Sequence, residues 1–137
     1  MLFKIFKRNK KKELHTIAFY NLENLFDTKD DPNTLDDDFT PTGFKKWSKR
    51  RYKKKVYKLA KTISELGQGS SDYFPALVGV AEVENKKVMK DLIRSEPLRA
   101  IPYDFVHYDS PDERGIDTAL IYHSDIFEVL TLSLIHI

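Results

Sequence analysis

The stretch Pro75-Ala-Leu-Val-Gly-Val-Ala-Glu82-Val-Glu-Asn85 carries more information about the fold than any other part of this chain. The run from Ala76 to Ala81 is short and apolar, which is typical of a strand buried inside a sheet. Glu82 directly follows this run and places a carboxylate at its end. Sheets of α/β proteins collect their ligands at the carboxyl ends of their strands, where such an acid can hold a metal ion.

Two further segments each join a short apolar strand to polar side chains. The first is Thr16-Ile-Ala-Phe-Tyr-Asn21-Leu-Glu-Asn-Leu-Phe-Asp27, and its alternating pattern predicts a strand that ends at Asn21. The second is His107-Tyr-Asp-Ser-Pro-Asp-Glu-Arg114-Gly-Ile-Asp117-Thr-Ala-Leu-Ile-Tyr122. Its Pro/Asp-rich start predicts a turn that carries Arg114 and leads through Asp117 into another strand.

Hydrophobic periodicity predicts the element order β, α, β, α, β, β, β, and therefore an α/β domain with one mixed sheet and helices on a face. A helix with one apolar face is expected over residues 48–66, with Ser48 as its N-cap and Gly67 directly after its end. A second helix is expected over residues 86–95, before Pro97. Strands are expected over residues 14–20, 76–81, 104–108, 118–122 and 127–134.

Composition places the chain among globular proteins, because 41% of its 137 residues are hydrophobic and 32% are charged. The chain has no cysteine, which excludes disulfides and zinc–thiolate sites. No segment approaches the roughly 20 apolar residues of a membrane span. The first residues lack the uninterrupted apolar core of a secretory signal, so a cytoplasmic location is expected.

The net charge of +2 is unevenly distributed along the chain. Six cations lie between Lys4 and Lys12 and ten between Lys45 and Lys61, whereas residues 23–38 are acidic. Basic patches concentrate polyanions such as nucleic acid, although a lysine-rich segment is also typical of an ordinary solvated surface. Residues 1–13 are expected to form a flexible basic arm. Asp36-Asp-Asp38 lacks the ligand spacing of an EF-hand and is expected to lie in a solvated loop.

Taken together, the three segments resemble the endonuclease/exonuclease/phosphatase superfamily, the deoxyribonuclease-I-like group of Mg²⁺-dependent phosphoesterases. The motifs occur in the matching order, with Asn21 after the first strand, Glu82 after the next, and Arg114-Gly-Ile-Asp117 before another. The resemblance spans about residues 16–122 and is closest to bacterial members that have an Asn-Leu-Glu-Asn-Leu-Phe-Asp start and a Glu-Val-Glu-Asn metal motif. It implies a four-layer α/β sandwich, of which residues 14–137 are expected to be a truncated N-terminal half.

The resemblance also implies roles for individual residues. Glu82 is expected to be the principal ligand of Mg²⁺, or of Mn²⁺ as the alternative ion, with Asn21 beside it in the metal and catalytic site. Arg114 is expected to bind a substrate phosphate, and Asp117 to order Arg114 or a nearby ligand. The family often has Gln before the metal-site Glu; here Ala81 removes a hydrogen bond but not the ligand. Each residue also has an ordinary alternative, as a surface acid, a turn amide or a hairpin ion pair.

Two functions remain open from the sequence. The first is a Mg²⁺-dependent phosphoesterase that hydrolyses phosphodiester bonds of nucleic acid or a related substrate. The second is a non-catalytic module on the same scaffold that binds nucleic acid or an anionic surface. The family activates its water with an Asp-His pair near the C-terminus, after a Gly-Asp-x-Asn segment. Neither occurs here, so the isolated chain is expected to be inactive and poorly stable.

The last residues, Leu132-Ser-Leu-Ile-His-Ile137, stop inside an apolar pattern. A domain seldom ends within a strand, so this ending predicts a truncated or foreign C-terminus. The substrate and the oligomeric state are not specified by the sequence, because fold analogy does not identify a substrate.

Overall fold

The computed structural model of the protein describes residues 14–111 and 113–132. A four-stranded sheet with the order β1-β2-β4-β3 forms its centre. β1 and β2 are parallel, whereas β4 runs antiparallel to both β2 and β3. The predicted α/β class with one mixed sheet is therefore confirmed. The strands are β1 (Ile17–Leu25), β2 (Leu77–Val83), β3 (Tyr103–His107) and β4 (Asp117–His123).

Two helices, α1 (Lys49–Glu65) and α2 (Lys86–Ile93), pack on one face of the sheet. The side chains of Ser48 and Asn85 accept hydrogen bonds from backbone N–H groups in the first turns of α1 and α2, which satisfies donors that a helix start leaves unpaired. Gly67 follows α1 with a φ of +81°, a left-handed conformation that glycine adopts without a Cβ clash. Both helices begin where the sequence predicts.

The hydrophobic core lies between these helices and the sheet. Side chains from both layers are completely buried in one cluster, which places the apolar stripe of α1 against the inner face of the sheet. Burying one such aliphatic side chain stabilises the fold by about 1.5–3 kcal/mol. Examples with no exposed surface are Ile63, Val78, Val80, Leu92 and Ile121.

The opposite face of the sheet carries no helix among the residues that the structure describes. Ile17 and Phe19 on β1 are 72% and 70% exposed, and Leu120 on β4 is 39% exposed. The alternation of strand side chains explains the difference, because each strand sends every second residue to this face. The β1 side of this face is therefore apolar and largely exposed.

The strand predicted over residues 127–134 is wrong for its described part, since residues 127–132 form no strand. These residues instead line a cleft of about 390 Å³ together with Leu77, Val106, Leu120 and Tyr122 on the open face. An apolar run can cover an apolar sheet without pairing with its edge, and periodicity does not distinguish the two outcomes.

Some sequence predictions fall outside the described part of the chain. They concern the basic arm at residues 1–13 and the apolar ending at residues 133–137. Within the described ranges, every helix is too short or too polar to cross a membrane.

Candidate functional site

Glu82 lies in a β-bulge near the end of β2. Ala81 pairs with Thr118 and Val83 pairs with Asp117, so Glu82 is an extra residue between two consecutive positions of β4. Its φ is +62°, which is uncommon for a residue other than glycine. Bulges re-aim side chains and are common next to active sites. The sequence predicts the acid at the strand end, but the bulge is what sets its direction.

The neighbouring end of β1 is distorted in the same way. Its pairing with β2 shifts register between Asn21 and Leu25, and the φ angles of Glu23 and Asn24 are +54° and +59°. Three of the four described non-glycine residues with positive φ therefore lie in these two adjoining bulges, which we call the paired bulges (residues 21–25 and 82). Such conformations cost on the order of 1–3 kcal/mol each and cluster at functional sites. The paired bulges replace the plain strand end predicted at Asn21.

Hydrogen bonds across the paired bulges hold Glu82 and Asn21 together. Asn21 Nδ2 donates to Glu82 Oε1 at 3.0 Å, and the backbone N–H of Asn24 donates to Glu82 Oε2 at 3.0 Å. Asn21 Oδ1 accepts a hydrogen bond from the backbone N–H of Glu23 at 2.7 Å. The structure therefore brings together the two residues for which the sequence predicts a shared site.

The geometry around Glu82 fits a hydrated divalent cation. Two donors fix the plane of the carboxylate, and each oxygen keeps a lone pair for a further partner. Glu82 is half-buried and Asn21 is exposed, so water can complete the coordination shell. Mg²⁺ in proteins keeps several waters and needs only one or two carboxylates. Because the oxygen of Asn21 is engaged with the backbone, Asn21 orients Glu82 in this arrangement, and Glu82 is the side chain placed to act as ligand.

Lys55 on α1 supports the paired bulges. Its ammonium group donates to the backbone carbonyl of Glu23 and, at 3.1 Å, to that of Asn24. It also lies 5.6 Å from the ring centroid of Trp47, within the range of a cation–π interaction. Burial lowers the pKa of Lys55, and the negative charges of Glu23 and Glu82 oppose this effect. Lys55 is a site residue that the sequence did not predict.

A cleft of about 280 Å³ opens between the end of β1 and α1. Asn21 and Glu23 line one side, and Lys55, Lys58 and Thr62 line the other. The cleft therefore connects the amide of the paired bulges to cationic side chains of α1. This arrangement places positive charge where an anionic group would approach Asn21.

The loop between β3 and β4 contains Arg114 and leads into Asp117. The Asp117 carboxylate is buried; its Oδ1 accepts a hydrogen bond from Ser110 N at 2.7 Å, and its Oδ2 lies 3.0 Å from His107 Nε2. Arg114 lies in an exposed turn, and the following Gly115 has a φ of +65° that suits the turn. Asp117 thus accepts a hydrogen bond from Ser110 and lies in close contact with His107, and its role in ordering Arg114 stays a prediction.

Further carboxylates, one half-buried and others buried, lie next to the paired bulges. Glu84 accepts a hydrogen bond from Asp27 N at 2.5 Å. Burial, with added repulsion from Asp27 and Asp36, raises the pKa of Glu84 to about 7. Asp36 is only 1% exposed, so the expectation of a solvated Asp36–Asp38 loop is wrong for this residue. Both carboxylate oxygens of Asp36 accept a hydrogen bond from Asp31 N, because a buried loop must satisfy its own backbone donors.

The substitution Glu84→Gln is expected to make stability less dependent on pH. The pKa of Glu84 is raised on folding, so its contribution to stability is fully present below about 4.5 and is lost as the pH rises through about 7. We compare the free energy of unfolding of the variant with that of the wild type. This difference should be about 1–2 kcal/mol more favourable to the variant at pH 8 than at pH 5. The full effect would be about 1.36 kcal/mol for each pKa unit. Solvent screening of this partly exposed carboxylate reduces the total to about 1–2 kcal/mol.

Urea unfolding of both proteins at pH 5 and pH 8 measures this effect, and Glu65→Gln on the exposed side of α1 is the control. The same stability difference at both pH values would show that Glu84 does not titrate differently on folding.

A family model described as the endonuclease/exonuclease/phosphatase family matches residues 16–137. The matched residues include both strands of the paired bulges and the loop that carries Arg114. No significant match occurs among curated proteins or among solved structures.

Proposed function

This chain belongs to the endonuclease/exonuclease/phosphatase family, and we propose that it provides the metal-binding part of a divalent-cation-dependent phosphoesterase. The observation that carries the proposal is the hydrogen bond between Asn21 and Glu82 in the paired bulges. We expect Glu82 to ligate Mg²⁺, with Mn²⁺ as the alternative ion. The bond to be hydrolysed is a phosphodiester, in nucleic acid or a related substrate.

The residues around Glu82 have distinct tasks in this proposal. When bound, the cation supplies polarisation of a phosphoryl oxygen and stabilisation of the leaving oxygen. Asn21 and the Asn24 backbone fix the carboxylate plane, so little reorganisation is needed when a cation arrives. Lys55 holds the carbonyls of the distorted strand in place. Arg114 offers a planar, bidentate donor to a substrate phosphate.

The exposed face of α1 supports a polyanionic substrate. Lys54 and Lys58 are exposed, and Lys58 also lines the cleft that reaches Asn21. A nucleic-acid strand that lies along this helix would bring one phosphate toward the paired bulges while others contact lysines. Such contacts release counterions and make the affinity depend on salt concentration.

The same basic face favours the second candidate, a module that binds nucleic acid or an anionic surface without catalysis. The two functions differ in what the cation does. A phosphoesterase needs Glu82 and its ion to engage the substrate, whereas a binding module needs only the lysines.

Binding of a short fluorescent single-stranded oligonucleotide, followed by anisotropy at constant ionic strength, separates the two functions. We expect Mg²⁺ to strengthen binding several-fold in the wild type and to have no effect in Glu82→Gln. The double variant Lys54→Gln/Lys58→Gln should bind more weakly and reduce the slope of log K against log salt by about 1.4, at roughly 0.7 per lost single-strand phosphate contact.

A matched double variant on α2, Lys86→Gln/Lys90→Gln, removes two exposed charges away from the cleft and should change the slope less. Binding that neither EDTA nor Glu82→Gln alters would contradict the phosphoesterase proposal and favour the binding module.

A further inference from the structure

A second group of ligand atoms lies at the β3–β4 junction. It consists of His107 at the end of β3, Asp109 in the loop and Asp117 at the start of β4. One ligand atom from each residue lies within 4.8 Å of the others. Asp117 shares a strand face with Ala119, whose side chain packs in the core beneath the helices, whereas Asn21 shares a face with the exposed Phe19. Asp117 pairs with Val83, so this group adjoins the bulge at Glu82 but lies on the opposite face of the sheet from Asn21.

The imidazole of His107 is the unusual member of this group. Its side chain has no exposed surface, yet neither ring nitrogen makes a hydrogen bond in the described structure. Leaving a buried polar atom without a partner costs about 1–3 kcal/mol. His107 Nε2 nevertheless lies 3.0 Å from Asp117 Oδ2, and Nδ1 lies 3.8 Å from Asp109 Oδ1. The two carboxylates therefore approach different nitrogens of the imidazole, neither with hydrogen-bond geometry, and a single ion would bind only one of these nitrogens.

One ligand atom from each of the three residues lies close enough to the others for a shared metal ion. Ligand atoms about 2.1 Å from one tetrahedral ion are roughly 3.4 Å apart, close to the 3.0 Å between His107 Nε2 and Asp117 Oδ2. The other oxygen of Asp117 accepts a hydrogen bond from Ser110 N, an outer contact of the kind that orients metal ligands. Asp109 is 85% exposed, so its carboxylate can move toward the ion and water can enter beside it.

We propose that His107, Asp109 and Asp117 bind a divalent transition-metal ion such as Zn²⁺, in a site separate from that at Glu82. One imidazole nitrogen and two carboxylate oxygens, with water in the fourth position, form a recognised Zn²⁺ ligand set. Mg²⁺ is a poorer match because it prefers oxygen ligands alone. A bound ion would link the end of β3 to the start of β4 and close the loop that carries Arg114. The inference does not depend on the proposed phosphoesterase function.

Calorimetric titration of the metal-stripped full chain with Zn²⁺ tests the site. Asp109→Asn is the main variant, because its exposed side chain can lose its charge without disturbing the core. We expect this variant and His107→Gln to bind Zn²⁺ at least tenfold more weakly than the wild type. His123→Gln is the matched control, since His123 also has a buried ring nitrogen without a partner but belongs to no such ligand group among the described residues.

Glu82→Gln distinguishes the two metal sites and should leave the Zn²⁺ affinity of this group unchanged. Absorption bands of the Co²⁺-substituted chain provide a second readout, and they should change in Asp109→Asn but not in Glu82→Gln. Any of three results would overturn the inference. Asp109→Asn could bind Zn²⁺ with wild-type affinity, the wild type could fail to bind Zn²⁺, or binding could be lost only in Glu82→Gln.

Discussion

Mg²⁺ binding to the chain is expected to fall by at least about 100-fold in Glu82→Gln, below the range that calorimetry measures. The substitution keeps the shape of the side chain but removes the negative charge that ligates the ion. Asn21→Ala should weaken binding by only about tenfold, which is typical of losing a group that orients a ligand. Titrations at constant ionic strength, with circular dichroism to check folding, give both values.

Two controls keep this result interpretable. Glu65→Gln removes a carboxylate from the exposed side of α1 and should leave Mg²⁺ affinity unchanged. Asp109→Asn should also leave it unchanged, because the group at His107 contains an imidazole that Mg²⁺ disfavours. Equal Mg²⁺ affinities in the wild type and Glu82→Gln would refute the role of Glu82 as ligand.

Ile63→Ala is expected to reduce the free energy of unfolding by about 2–5 kcal/mol. Ile63 has no exposed surface and lies in the core between α1 and the sheet, so truncation leaves a cavity that the neighbours fill incompletely. Natural domains have a total stability of only about 5–15 kcal/mol, so the loss is a large fraction of the whole. Urea unfolding followed by circular dichroism measures the change.

Lys61→Ala is the control for this substitution, because Lys61 lies on the same helix and its side chain is 60% exposed. We expect it to change stability by less than about 0.5 kcal/mol. A loss below about 1 kcal/mol in Ile63→Ala would mean that α1 does not pack on the sheet as described.

The elements that could be predicted from the sequence are those with strong periodicity and clear ends. The stripe on α1 and its Ser48 cap specify the helix locally, and the apolar run before Glu82 specifies a buried strand. The bulge at Glu82 could not be predicted, because hydrophobic alternation contains no information about a single positive φ. Asn24 carried a weak signal, since asparagine adopts left-handed conformations more readily than most residues.

Buried polar contacts were the part of the site that sequence reasoning missed. Lys55 lies three residues after Tyr52 and four before Leu59, at the edge of the buried stripe, and this spacing could have separated it from the exposed lysines. Asp36 and His107 carried no comparable signal. Their burial depends on loops and strands that meet only in the folded chain, and residues near them in sequence do not reveal it.

Anomalous X-ray scattering from crystals soaked in Mn²⁺ tests the central claim most directly, because it locates the ion without relying on activity. We predict an anomalous peak about 2.1–2.2 Å from a Glu82 carboxylate oxygen, with the Asn21 amide still hydrogen-bonded to that carboxylate. A fully occupied Mn²⁺ elsewhere with no peak at Glu82, or a crystal structure in which Asn21 and Glu82 lie apart, would contradict the account.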